Sequence, residues 1–135
     1  LKAMKRGYSR RQVEAALQGL ERAGIPFGAS LMFGAPGETP ETISESLSLL
    51  EGCTIPLGTW VTVGICLWTR RQEVLQEAYR SGQLQSDAEM FAGVNYISPE
   101  LPEEYMRDLI NWLAQQPGYS VQVNKPYAQY RELAD

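Results

Sequence analysis

The sequence predicts a mixed α/β fold built around a parallel sheet. Segments with helical and strand periodicity alternate along the chain, and the connections between them are short. The run Thr59–Trp68 carries apolar residues on both of its faces, which is typical of a parallel strand covered on both sides. This order is the βαβ pattern, in which parallel strands are joined by right-handed helical crossovers. With 135 residues, the chain is long enough for one domain with its own core.

The first helix and the first strand have clear boundaries. Ser9 and Gln12 fit a capping box at the start of the helix, and Gly24 provides its stop. Between them, apolar residues recur at helical spacing, namely Val13, Ala16, Leu17 and Leu20. Residues 26–34 are then predicted to form a buried strand.

A turn and a second helix follow this strand. The turn is Ala35–Glu38, after which Thr39 is a favourable N-cap and Pro40 suits the first helical position. The helix is expected to end at Gly52, and its inner face carries Ile43, Leu47 and Leu50. The strand Thr59–Trp68 comes next.

The C-terminal half adds two more predicted helices and one strand. A helix is expected over Arg71–Ser81, with a stop near Gly82. Another is expected over Pro102–Gln115, with its inner face formed by Met106, Leu109, Ile110 and Leu113. The alternation through Tyr119–Val123 predicts an edge strand.

Composition excludes several classes of function. Histidine is absent, so catalytic triads, HExxH zinc sites and histidine-activated nucleophiles cannot form within this chain. Cys53 and Cys66 are too far apart in sequence for a CxxC metal pair. The net charge of −4 argues against nucleic acid as a partner, and the basic residues near the N-terminus fit a solvated helix better than a phosphate site. No apolar run reaches the roughly 18–20 residues that span a bilayer, so a cytoplasmic protein without a membrane partner is expected.

One loop has the features of a ligand site. Phe33–Thr39 joins the carboxyl end of a strand to the start of a helix, where α/β folds bind their ligands. Gly34 and Gly37 would let the backbone approach a ligand closely, and the helix start offers free N–H groups. The loop is not a phosphate P-loop, because the GxxxxGK[ST] pattern is missing. The same residues also make a good turn and cap with no ligand, so both interpretations stay open.

A set of short segments along residues 1–101 bears on function through its order and spacing. The segments are Leu1–Gly7, Ala23–Ile25, Leu31–Thr39, Ser46–Leu47, Leu49–Leu50, Gly64–Ile65, Ser81–Leu84 and Asn95–Leu101. Together they resemble the second half of the radical S-adenosylmethionine barrel, a partial (β/α) barrel. The branch in question often carries a cobalamin-binding domain and is similar to anaerobic magnesium-protoporphyrin ester cyclase.

The resemblance implies a set of site residues. The strand ending at Phe33 would be the fifth barrel strand, and its end would line the adenosyl part of the cofactor with Met32, Gly34, Ala35, Pro36, Gly37 and Glu38. Val61–Leu67 would be the sixth strand, with Trp68, Thr69 and Arg70 facing the substrate. There the family's aromatic-Pro-x-Thr is replaced by Trp-Thr-Arg-Arg. Trp68 either stacks on a ligand or plugs the barrel mouth, and the plug is favoured.

The resemblance also implies cofactors that this chain cannot hold alone. In the family, a CxxxCxxC loop binds a [4Fe–4S] cluster through three thiolates, and that loop is absent here. S-adenosylmethionine, the cluster and, as a further candidate, cobalamin are therefore expected only in the intact protein. This fragment is expected to bind none of them and to contribute no catalytic residue or metal ligand.

These expectations define domains and partners. Residues 1–101 would be the C-terminal barrel half, and residues 102–135 a helical C-terminal extension. The chain lacks an initial methionine, so we expect a missing N-terminal half of the same polypeptide as a partner, besides a small-molecule substrate. Without that half, the chain is expected to form a homodimer or to cap its own sheet with Tyr119–Val123. The apolar face expected to lose its cover carries Leu31, Phe33, Val61 and Val63.

Two other classes of function are alternatives to an enzyme fragment. The chain could be a non-enzymatic interaction or regulatory domain derived from such a barrel. The chain could also be a small α/β hydrolase or transferase, but the missing histidine and the absence of a nucleophile elbow argue against this class.

Overall fold

The computed structural model describes residues 7–51, 56–67, 72–93 and 95–124. Five helices and five strands lie in this part of the chain. In chain order they are α1 (Arg10–Ala23), β1 (Phe27–Phe33), α2 (Pro40–Glu51), β2 (Pro56–Val63), β3 (Ile65–Cys66), α3 (Gln72–Arg80), α4 (Asp87–Phe91), β4 (Asn95–Tyr96), α5 (Glu103–Gln115) and β5 (Tyr119–Val123). None of the described helices is long and apolar enough to cross a membrane.

The main sheet has three parallel strands in the order β1-β2-β5. Its register places Ser30 beside Trp60 and Trp60 beside Ser120. The predicted α/β class and the parallel pairing of the first two strands are confirmed. The predicted edge strand at Tyr119–Val123 is also confirmed, and it pairs with β2 at the edge opposite to β1.

The helix boundaries follow from local chemistry that the sequence shows. At α1, Ser9 accepts a hydrogen bond from the Gln12 amide while the Gln12 side chain accepts one from the Ser9 amide, which is the predicted capping box. Gly24 ends this helix in the left-handed conformation, with φ of 64°. At α2, Thr39 and Thr42 exchange reciprocal side-chain to backbone bonds of 2.9 and 3.4 Å.

One face of the main sheet is covered and holds the larger core. Phe33, Val61 and Val63 are buried there against helices α2 and α5, through Ile43, Met106, Leu109 and Leu113. The expectation that Leu31, Phe33, Val61 and Val63 would lose their cover is therefore wrong. These side chains point toward helices α2 and α5, and they alternate along each strand with residues that point to the opposite face of the sheet. Helix α5 and strand β5 build this same core, so residues 103–123 contribute a strand as well as a helix.

The opposite face of the main sheet, called the open face below, has no cover among the described residues. The prediction that the second strand is covered on both sides is therefore wrong. Trp60 is 54% exposed and Met32 is 39% exposed. By the register, the open face consists of Gly28, Ser30, Met32, Trp60, Thr62, Ser120 and Gln122.

A smaller unit lies at the carboxyl end of the sheet. The predicted strand Thr59–Trp68 breaks at Gly64, whose φ is 93°, so that β2 ends at Val63. After this bend, β3 pairs antiparallel with β4. Helices α3 and α4 pack on the ribbon in a second core of Ile65, Leu67, Val74, Ala78, Leu84 and Tyr96. Helix α4 and strand β4 were not predicted, because each is too short to show a period in the sequence.

Candidate functional site

The loop after β1 is a tight turn. The amide of Glu38 donates to the carbonyl of Ala35 over 3.0 Å, which closes a four-residue turn with Pro36 and Gly37 at its centre. Gly37 has a φ of 74°. A positive φ after proline is what a type II turn requires, and glycine adopts it without strain. The predicted turn at Ala35–Glu38 is confirmed.

The side chain of Glu38 folds back onto the end of the strand. Its Oε2 accepts hydrogen bonds from the amides of Gly34 at 2.5 Å and Ala35 at 3.2 Å. Burial raises the pKa of this carboxyl above its ordinary value, while the two amide bonds partly oppose the rise by favouring the ionised form. Glu38 thus supplies the acceptor that these two backbone N–H groups need once they leave the sheet ladder.

Gly34 is buried and lies against the backbone of the smaller unit. A Cβ at this position would stand 3.4 Å from the amide nitrogen of Gly64 and 3.4 Å from the carbonyl oxygen of Tyr96. The φ of Gly34 is 106°, which a side chain would also strain. The close approach that Gly34 permits is therefore to this chain's own backbone.

Ser98 ties the loop to the segment after β4. Its amide donates to the carbonyl of Gly34 at 2.9 Å, and its hydroxyl donates to the carbonyl of Glu38 at 3.0 Å. The hydroxyl of Tyr105 donates to the carbonyl of Pro40 at 3.3 Å and fixes the start of α2. The sequence did not indicate a role for Ser98 or Tyr105. The only sequence signal was the position of Ser98 within the segment Asn95–Leu101.

The outer part of the turn stays accessible. Nothing in the described structure lies within 4 Å of a Cβ built on Gly37, and this residue is exposed. Pro36 is partly exposed, whereas Ala35 packs against the second core. A ligand could therefore approach the turn at Pro36 and Gly37 but not at Gly34.

Met32 faces away from the core, onto the open face. Its neighbour on β2 is Thr62, whose neighbour on β5 is Gln122. One row nearer the amino ends, the ring of Trp60 extends over β1, where its Cζ3 would lie 2.5 Å from a Cβ on Gly28. The open face therefore combines small and polar side chains with one large aromatic ring.

The structure brings six of the predicted site residues to one corner of the molecule. Met32 lies on the open face, and Gly34, Ala35, Pro36, Gly37 and Glu38 follow at the carboxyl end of the same strand. Trp68, Thr69 and Arg70 lie outside the described residues. Within the described part of the chain, no group of three or more Cys, His, Asp or Glu side chains could hold a metal ion.

Comparisons with known proteins give no relative from which a role could be transferred. The chain matches no family model, and neither a curated protein nor a solved structure matches it significantly. Its function is therefore argued from the residues and their geometry.

Proposed function

We propose that this chain is the adenosine-side and substrate-side half of a radical S-adenosylmethionine iron–sulfur oxidoreductase. It would be inactive without the half that binds the cluster. The observation that carries the proposal is the placement of Met32 on the open face of the sheet, with an accessible Pro-Gly turn at the carboxyl end of the same strand.

The layering of the described residues supports a barrel wall. In (β/α) barrels, helices cover the outer face of the sheet and the inner face points into the barrel. Here α2 and α5 cover one face of β1 and β2, while Met32, Thr62 and Trp60 occupy the other. The parallel pairing of β1 with β2 through α2 is the crossover that such a wall repeats.

The described residues fit one part of the cofactor and not the other. Ser30, Thr62 and Gln122 offer hydrogen-bonding groups on the open face, and Gly37 leaves room for a ligand to contact the turn backbone. These features suit an adenosine moiety. The sequence has only two cysteines, and no described group of residues could hold a metal ion, so the proposal assigns cluster ligation to the other half.

The role left to this chain is binding and orientation. When bound and reduced by the cluster, S-adenosylmethionine supplies the radical chemistry of this enzyme class. The residues of this chain would hold the adenosine against the open face and exclude water from the reacting end. Glu38 would keep the turn in shape through Gly34 and Ala35 rather than transfer a proton.

The test uses the natural polypeptide that contains this chain, purified without oxygen and reconstituted with iron and sulfide. We expect it to release 5′-deoxyadenosine from S-adenosylmethionine. Gly37→Val should weaken cofactor binding more than it weakens folding. Gly82→Val is a matched control, because Gly82 also has a φ of 74° and nothing within 4 Å of its Cβ position.

The control separates strain from contact with the cofactor. Both substitutions should lower the free energy of unfolding by a similar amount, since each forces a β-branched residue into the left-handed region. Only Gly37→Val should weaken cofactor binding. Equal effects of the two variants on cofactor binding, or a natural polypeptide with no cluster loop and no 5′-deoxyadenosine release, would reject the proposal.

A second candidate is a non-enzymatic interaction or regulatory domain. It is favoured by the internal use of the loop, since Gly34, Glu38 and Ser98 satisfy one another without a ligand. It is also favoured by the exposure of Trp60, because aromatic residues are enriched at protein interfaces. A natural polypeptide that begins close to Leu1 would support this candidate.

A further inference from the structure

The outer edge of β1 carries unpaired backbone groups. The carbonyl of Phe33 accepts from the amide of Gly64, so odd-numbered residues of β1 point their backbone groups toward β2. Even-numbered residues point the other way, because successive residues of a strand alternate in direction. Gly28, Ser30 and Met32 therefore present N–H and C=O groups at this edge, and none has a hydrogen-bond partner among the described residues.

We propose that this edge pairs antiparallel with the same edge of a second copy of the chain, centred on Ser30. The pairing would join two three-stranded sheets into one of six strands. It concerns the 135-residue chain by itself and does not rest on the proposed function. In the intact enzyme, a strand of the cluster-binding half would take the same edge.

The register follows from the free groups. Only the alignment centred on Ser30 pairs all three edge residues, with Ser30 opposite Ser30 and Gly28 opposite Met32. In an antiparallel pair, such opposed residues exchange both of their hydrogen bonds. The alignment therefore forms six hydrogen bonds from groups that have no partner in the described part of the chain.

The pairing also ends where the free groups end. The next position would place Gly34 opposite Pro26 of the second copy. Pro26 has no N–H to give, and the carbonyl of Gly34 already accepts from the amide of Ser98. The amide of Gly34 already donates to Glu38. The carbonyl of Pro26 would therefore meet a Gly34 amide that already has its acceptor, and no further hydrogen bond can form at this position.

The side chains along the strand are complementary to themselves. The sequence FGASLMF carries no charge and no proline, the two features that natural edge strands use to block such pairing. In the proposed register, small side chains lie opposite large ones, since glycine faces methionine and alanine faces leucine. On the open face, Met32 of one copy would come beside the Trp60 ring that covers Gly28 of the other. Sulfur–aromatic contacts of this kind are favourable.

A matched pair of lysine variants tests the proposal by light scattering across a range of concentrations. The native chain should approach twice its mass of 15.1 kDa. Ser30→Lys places two like charges directly opposite each other and should give a monomer. Ser120→Lys is the control, since Ser120 is exposed in the same sheet row but on β5. It should leave the dimer intact.

A cysteine variant keeps the test decisive if Ser30→Lys does not fold. In the proposed register the two Ser30 Cα atoms lie about 5.5 Å apart, within the range that a disulfide spans. Ser30→Cys should therefore give an oxidised covalent dimer, and Ser120→Cys should not. A native chain that stays monomeric, or a dimer that survives Ser30→Lys and gives no Ser30→Cys cross-link, would overturn the proposal. Loss of the dimer in Ser120→Lys alone would overturn it in favour of the β5 edge.

Discussion

The amide of Gly34 and the carboxylate of Glu38 are joined by a hydrogen bond of 2.5 Å. This contact closes the loop after β1 on itself, because the same carboxylate also accepts from Ala35. The loop that would contact a ligand is thus held in shape before any ligand arrives. Its accessible part is limited to the turn at Pro36 and Gly37.

Replacement of Glu38 should separate its two contributions to stability. Glu38→Ala leaves two backbone N–H groups without their acceptor, so the free energy of unfolding should fall by about 1–3 kcal/mol. Glu38→Gln keeps an acceptor oxygen and removes the charge that burial disfavours, so its loss should be smaller. Urea denaturation near neutral pH measures both. Equal losses in the two variants would show that the charge itself is needed.

Glu38 should also make the free energy of unfolding depend on pH, in a direction that its raised pKa determines. Burial raises the pKa of Glu38 in the folded chain, so the folded state holds this proton at a pH where the unfolded state has released it. The stabilisation is complete below the unfolded pKa of about 4.3 and is lost as pH rises through the folded pKa. Glu38→Gln should lack this component when its unfolding is followed over the same range. Parallel pH profiles for the two proteins would contradict the assignment.

The features that were predicted correctly from the sequence are those that depend on local chemistry. The capping box at Ser9, the stop at Gly24 and the turn at Gly37 depend on neighbouring residues alone, and each was found as expected. The covered face of the sheet was predicted incorrectly, because Leu31, Phe33, Val61 and Val63 pack in the core instead of losing their cover. Thr59–Trp68 is apolar on both faces, so its pattern does not show which face the helices cover.

The network around the loop could not be predicted, because its partners are distant in sequence. Ser98 contacts Glu38 across 60 positions, and Tyr105 contacts Pro40 across 65. Neither residue lies in a recognisable motif of its own. The bend at Gly64 was missed for a similar reason, since a single glycine within an apolar run does not by itself indicate where a strand ends.

The contact between Trp60 and Gly28 should appear as an energetic coupling. Gly28→Ala would place a methyl group in the space of the Trp60 ring, so it should destabilise the native chain. In a Trp60→Ala background the same change should be neutral or stabilising by about 0.4–1 kcal/mol, because alanine restricts the unfolded chain. A double-mutant cycle from urea denaturation measures the coupling. A coupling energy near zero would show that the ring does not rest on Gly28 in solution.

The 135-residue chain should bind no iron–sulfur cluster. No described group of residues could hold a metal ion, and the sequence has only two cysteines, whereas the [4Fe–4S] cluster of the proposed enzyme class needs three closely spaced thiolates. Anaerobic reconstitution with iron and sulfide, followed by desalting, should leave no stable visible absorbance from sulfur-to-iron charge transfer. A stoichiometric cluster signal would contradict this prediction and would require ligands of a different kind.

Tyr96 should make the chain less stable in alkaline solution. Its side chain is buried, and this burial raises its pKa to about 12, with the carboxylates of Glu77 and Glu100 adding to the rise. The unfolded chain releases the same proton near pH 10, so between these values the folded state binds more protons than the unfolded state. The stabilisation from Tyr96 is therefore complete below about pH 10 and is lost as pH rises toward 12.

Tyr96→Phe removes this titration and leaves the other tyrosines in place. The free energy of unfolding should fall more steeply with pH in the native chain than in Tyr96→Phe when both are followed by urea denaturation from about pH 9 to 11. Equal slopes would mean that the Tyr96 hydroxyl reaches solvent and ionises without unfolding.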